Sequence, residues 1–430
     1  MNAWYLICFL SALAVLIAFT NQFILKMQTT IAITTGSVVI SLLLIIAVKM
    51  LGDETALFIT QVVSGIDFNQ LLLEGMLGFL LFAGALEIDL NALKKQKWEI
   101  TILVLFSTLT STFIVGFLSY YTFQLFGFPV DFIYCLLFGA LISPTDPIAV
   151  LAIIKQMNAP KGISIQVEGE SLFNDGVGLV IFTTIFSVAF YGTEANVEGI
   201  AELFLVDAIG GIVFGFVIAV IGHFVIINCR DMNIRLLVSL TIPSAGFALA
   251  NIWGISGALA MVTCGILMGN ITRAKASKRR GPDGTRYVQD FWHATDSYLN
   301  ALLFLIIGML IVTIPLTWEI LGLGLLMIPI VLFARFISIG SPYLVFKRFR
   351  QYDKHSVKIL TWGGLRGGLA LAMAAAIPSE QIAILDYDLH DLMVVITYTV
   401  VIFSIIVQGL TISPLIEKSI QAAEEKAKVD

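Results

Sequence analysis

The 430-residue sequence predicts an all-α polytopic membrane protein of about thirteen transmembrane helices, on three observations. Hydrophobic residues make up 58% of the chain and charged residues only 13%, where a soluble domain carries roughly 45–50% and about 25%. The apolar residues gather in runs of about 18 or more, the length a bilayer core demands of a helix. The basic residues fall almost entirely into alternate gaps between those runs.

In chain order the runs place spans near 3–25, 29–50, 70–87, 99–123, 131–154, 163–191, 201–227, 233–251, 254–271, 289–313, 317–345, 356–378 and 390–412. The first has no Lys or Arg before it and is too long for a signal-peptide core, so it reads as an uncleaved helix. Only Asn251-Ile252-Trp253-Gly254 separates the eighth from the ninth, and merging those two is the alternative count. With the amino terminus outside, the inner segments hold 22 of the 25 basic residues, including the cluster at 273–280, and the outer ones hold Lys49 alone. Outer loops are short and acidic, as at Glu194, Glu198 and Glu202 or Asp386, Asp388 and Asp391. Basic loops stay in the cytoplasm, which fixes an odd number of spans and a cytoplasmic carboxyl terminus. The four cysteines form no CxxC pair, so neither a disulfide nor a metal site is expected, and no cofactor.

Arg335 and Arg366 lie inside spans, with Glu74, Asp146, Glu168, Glu170, Asp175 and Asp296. A charge at the bilayer centre costs roughly 2.5–3.5 kcal/mol on insertion scales, so each needs a partner or a water-filled cavity. Counting from the inner end of span six at 1.5 Å per residue, Asp175 lies about 18 Å deep, near the middle of a ~30 Å core. Asp146 and Arg366 reach a similar level from spans five and twelve. On span six Glu170 and Asn174 share one helix face, and Ser171 and Asp175 share the next. Ser171 and Asp175, completed by Thr145 and Asp146, give an oxygen-only set suited to a hard alkali cation.

The backbone breaks at the same depth. Ser143-Pro144-Thr145-Asp146-Pro147 puts two prolines in span five, and Gly363-Gly364-Leu365-Arg366-Gly367-Gly368 puts four glycines in span twelve. Proline interrupts the hydrogen-bond ladder, and irregular backbone at membrane depth survives only when buried in protein or lining a cavity. Interrupted helices at matching places in two halves, here spans 1–6 and 8–13, mark an inverted-repeat transporter.

Blander readings stand beside these. Glu170 and Arg366 read as a structural ion pair, since a guanidinium does not deprotonate. Arg335 reads as a structural partner for a carboxylate or for freed carbonyls, and Glu74 and Asp296 as helix-packing groups. The four histidines and the 273–280 cluster need no function beyond their places at span ends and in an inner loop.

Together the span-six run Gly169-Glu170-Ser171-Leu172-Phe173-Asn174-Asp175-Gly176 and the two breaks resemble the cation:proton antiporter-1 family, nearest its prokaryotic NhaP-type sodium/proton antiporters. The likeness covers essentially the whole membrane domain. It implies a thirteen-helix homodimer in which spans 1–3 and 8–10 (about 3–87 and 233–313) form the dimerisation part. Spans 4–6 and 11–13 (about 99–191 and 317–412) form a moving core, and 413–430 a short cytoplasmic tail. It further implies Asp175 as the ion- and proton-binding carboxylate, with Ser171, Thr145 and Asp146 as further ligands of Na+. Glu170 with Arg366 becomes a core-stabilising bridge beside Asn174. The short tail favours a prokaryotic plasma membrane.

The expected activity is exchange of a monovalent cation for a proton, electroneutral at one for one, serving pH and sodium homeostasis. Its partners are the two ions, membrane lipid and a second copy of the chain, with no nucleic acid. Potassium/proton exchange by the same machinery is the alternative. A channel fits less well without a filter-like run, and an intramembrane enzyme less still without HExxH or an intraspan GxGD.

Overall fold

The computed structural model describes residues 3–51, 70–157, 159, 161–191, 197–229, 231–276, 284–312, 314, 317–346, 355–379 and 381–427. The side chains of the 273–280 cluster and of Glu194, Glu198 and Glu202 lie outside the described residues. Helices dominate, as the apolar runs require: a backbone removed from water must satisfy its polar groups internally. Among the described residues, nine helices are long and apolar enough to cross a membrane, with shorter apolar helices at Ile7–Phe23, Phe132–Ile142 and Gly257–Ile271.

The chain opens with α1 (Ala3–Phe23) and α2 (Thr29–Leu51), then a π-helical stretch, Gln70–Met76, that leads into α3 (Leu77–Glu87). A short α4 (Leu90–Lys95), capped by the Asp89 carboxylate, turns the chain into α5 (Lys97–Leu125). The fifth span is two half-helices, α6 (Phe132–Ile142) and α7 (Ile148–Gln156), and α8 (Lys161–Tyr191) carries Asp175. Next come α9 (Val197–Asn228), α10 (Met232–Thr241) continuing through π-helical Ile242–Gly246 into α11 (Phe247–Ile252), and α12 (Gly257–Ala276). The eighth and ninth runs do form separate helices, parted by residues 253–256, with Gly254 at φ +68° making the turn. The last third holds α13 (Gly284–Met309), α14 (Trp318–Phe346), the half-helices α15 (Ser356–Trp362) and α16 (Gly368–Ala375), and α17 (Leu389–Phe403). Before α17 a two-stranded hairpin pairs β1 (Ala383–Ile384) with β2 (Tyr387–Asp388). Beyond it a π-helical stretch, Ser404–Gln408, leads through α18 (Gly409–Thr411) into α19 (Ser413–Ala427).

Packing positions the site. Helix α14 lies against α5 and α17, and α5 against α6 and α8. Polar links fix these contacts: Ser107 Oγ donates to Ser338 Oγ at 3.1 Å and Tyr343 Oη to Gln166 Oε1 at 2.9 Å. Elsewhere α12 lies against α3 and α9, α13 lies against α2, and buried Trp292 donates to Ser239 Oγ at 3.1 Å. The outer face of α9 is bare, with Val213, Phe216, Val220 and Phe224 exposed at three- to four-residue spacing. Such an apolar stripe belongs in lipid.

Candidate functional site: two crossed helix breaks beside an acidic cavity

Each break has a chemical cause. Pro147 has no N–H for the Ser143 carbonyl, so α6 ends in a carbonyl without its helical donor. The amide of Ile148, which would serve the Pro144 carbonyl in a continuous helix, instead donates to Asp146 Oδ1 at 2.9 Å. Arg366 fills both gaps: its guanidinium donates to the Ser143 carbonyl at 2.6 Å and the Pro144 carbonyl at 2.9 Å. A cation at a helix carboxyl end also meets the favourable pole of the helix dipole.

The second break is answered in kind. Gln408 Nε2 donates to the Trp362 carbonyl at 2.8 Å and Ser404 Oγ accepts from the Arg366 amide at 2.8 Å. The breaks meet as an antiparallel bridge in which the Asp146 amide donates to the Leu365 carbonyl at 2.8 Å. That approach explains two of the glycines. A Cβ at Gly367 would lie 2.5 Å from Asp146 Oδ2, and one at Gly364 2.7 Å from Arg335 Nε.

The expected Glu170–Arg366 pair does not form. Glu170 pairs with Arg335 of α14 in a bidentate bridge, 2.7 Å at each oxygen, with both side chains buried. Azimuth, which depth does not report, turns Glu170 toward α14, while the freed carbonyls hold Arg366.

Asn174 extends the bridge, donating to Glu170 Oε1 at 2.8 Å and to Thr145 Oγ1 at 2.9 Å. Thr145 Oγ1 in turn meets Ser171 Oγ at 3.2 Å. This network lies behind the wall of a cavity of about 330 Å³ whose lining includes both Asp175 and Asp146. Thr145 and Ser171 are buried and not among the described residues that line it. The structure therefore brings Asp175 to Asp146, and Thr145 to Ser171 and Asn174, in two adjoining layers.

Glu168 and Asp296 also line the cavity, Asp296 from α13. At the mouth, Lys155 and Glu87 form an exposed ion pair at 3.7 Å. Glu74 is exposed and accepts from Gln70 at 3.3 Å. Ser404 and Gln408 belong to no motif; their one signal in the sequence is that they are isolated polar residues in an apolar run.

A family profile described as "Sodium/hydrogen exchanger, transmembrane" matches residues 9–418. The chain belongs to the sodium/hydrogen exchanger family. Members are membrane transporters, and the chain is accordingly a multi-pass transporter and not an enzyme. It is 39% identical over 414 residues to the Na(+)/H(+) antiporter NhaP of Pseudomonas aeruginosa, covering 95% of each chain. It is 34% identical over 371 residues to the Na(+)/H(+) antiporter NhaG of Bacillus atrophaeus, covering 84% of this chain and 65% of that one. Among solved structures, the sodium proton antiporter MjNhaP1 of Methanocaldococcus jannaschii superposes with a TM-score of 0.73 at 19% identity, covering 98% of this chain and all of that one. The exchanger fold is thereby shared.

Proposed function

We propose that this exchanger carries one sodium or lithium ion against one proton across the plasma membrane, both bound in turn at Asp175. The single observation that carries the reading is Asp175 in a cavity beside two crossed helix breaks, with Asp146 lining the same cavity. A carboxylate there holds either ion but not both, so occupancy couples the two flows. Asp146 completes the cation's shell directly or through water. The hydroxyls of Thr145 and Ser171, one layer behind, join it when their mutual contact opens.

The Glu170–Arg335 bridge and the Arg366 caps hold the four half-helices in one piece. The packing of α14 on α5 and α17 supports a core of about 99–191 and 317–412 that moves against a dimerisation part of about 3–87 and 233–313. Thirteen crossings, an outer amino terminus, a cytoplasmic tail at 413–430 and a homodimer complete the reading, which the placement of basic loops and the family likeness support.

The test is sodium-driven proton flux in proteoliposomes. Asp175→Asn keeps the shape and removes the titratable charge, and we expect folded protein with no exchange. Near-normal flux in that variant would sink the assignment. Replacing sodium by lithium and then potassium in the same vesicles assigns the cation, and flux driven by potassium alone would make the chain a potassium/proton exchanger.

A further inference from the structure

One wall of the cavity takes no part in the reading above. Helix α13 presents His293, Asp296, Asn300 and Leu303 to it, a three- to four-residue spacing that keeps all four on one face. Exposure falls along that face: His293 is exposed, Asp296 half-buried, Asn300 2% exposed and Leu303 5%. Leu303 closes the series against α16, where a Cβ at Gly368 would lie 2.4 Å from its Cδ1. The face is a ramp from the mouth to the level of the breaks.

Asn300 is the anomaly. Its amide N–H end lies against the Asp296 carboxylate of its own face, but its Oδ1 meets no hydrogen-bond donor, though the residue is buried. An unmade hydrogen bond on a buried polar group costs roughly 1–3 kcal/mol, so a side chain placed so is explained by something that arrives there. One helical turn nearer the mouth stands the Asp296 carboxylate. An amide oxygen and a carboxylate on one face, beside open space, form half an oxygen shell. The other half comes from water that a monovalent cation brings with it.

We infer that Asp296 and Asn300 form a second cation station, which takes a partly hydrated sodium or lithium ion before it reaches Asp175. The inference rests on the exchange reading and adds to it a step on α13. Asp296 belongs to α13, in the part proposed to stay still, and Asp175 to α8, in the part proposed to move. The station therefore stays behind when the carrier carboxylate leaves. It raises the local cation concentration on the inner side without itself crossing.

Equilibrium binding of radioactive sodium to purified protein separates the two sites. Asp175→Asn should retain weak, saturable binding, and Asp175→Asn with Asp296→Asn should lose it. In vesicles, Asp296→Asn should raise the sodium KM about ten-fold, the scale on which a charged cleft concentrates its ion, and lower the maximal rate by less. Asn300→Ala should shift the same constant in the same direction, and Asp296→Glu should restore it. A monodisperse elution profile for each variant excludes unfolding as the cause. No binding to Asp175→Asn, or an unchanged KM in Asp296→Asn, overturns the station while leaving Asp175 as the carrier. Normal exchange by Asp175→Asn overturns the carrier reading instead.

Discussion

Glu170 has a different partner from the one its depth in the membrane suggests, and the difference decides what each arginine does. Arg335 pairs with a buried carboxylate, so Arg335→Ala leaves Glu170 without its counter-charge, a change that typically costs about 3–5 kcal/mol. Arg366→Ala instead abandons two carbonyls, and hydrogen bonds to a charged group contribute about 1.5–3 kcal/mol each. Both variants should melt earlier in detergent. Glu170→Gln separates them, because it should relieve much of the damage of Arg335→Ala and none of that of Arg366→Ala. Equal rescue of both would contradict the pairing. The charges of the site were legible from sequence, because a bilayer makes a charge at mid-depth conspicuous; Asp207, in the seventh span, went unremarked. The pairing of the site charges was not legible, because position along a helix gives depth but not direction.

At the scale of elements, the two breaks follow from residue chemistry that a sequence displays openly: two prolines in one span, four glycines in another. What it does not display is that the breaks cross. Gly367 is the position where crossing demands the absence of a side chain, since a Cβ there would lie 2.5 Å from Asp146 Oδ2. Gly367→Ala should push the Asp146 carboxylate aside and abolish exchange, measured as sodium-driven proton flux, in protein that still reaches the membrane. Wild-type flux would show that the approach is not needed. Gln408→Leu tests the other cap, because it removes the donor to the Trp362 carbonyl at 2.8 Å. It should lower the melting temperature, as loss of a buried hydrogen bond costs about 1–3 kcal/mol. Polar residues such as Ser404 and Gln408 go unnoticed in a sequence because a bilayer tolerates a lone serine or glutamine far better than a charge.

Over the whole molecule, the number of carboxylates that trade a proton for a cation sets the charge an exchange cycle would carry. Asn174, beside Asp175, does not titrate; it is committed to Glu170 and Thr145 by hydrogen bonds. Glu170 is itself bound to Arg335. If Asp175 is the one exchanging carboxylate, as proposed, one cation replaces one proton and no net charge moves. A potential of 100 mV acts on each uncompensated charge with about 2.3 kcal/mol, so an electrogenic cycle would show a sodium gradient that follows the imposed voltage. We expect an equilibrium gradient independent of voltage, measured in potassium/valinomycin-clamped vesicles. A gradient that tracks the clamp would mean that Asp146 titrates as well. The fold class was readable at this scale from composition and the length of the apolar runs, since a bilayer core demands long helices poor in charge.

The segment 143–147 is irregular, yet it is not slack. Its prolines have no amide hydrogen, and each of its other three amides is held: Ser143 by the Ala140 carbonyl, Thr145 by Asn174 Oδ1 and Asp146 by the Leu365 carbonyl. In deuterated solvent these amides should therefore exchange as slowly as the neighbouring helices, although the cavity brings solvent to within one side chain of them. A break of this kind acts as a welded joint, and whatever flexing the transport cycle needs must occur elsewhere, at the seams between helices.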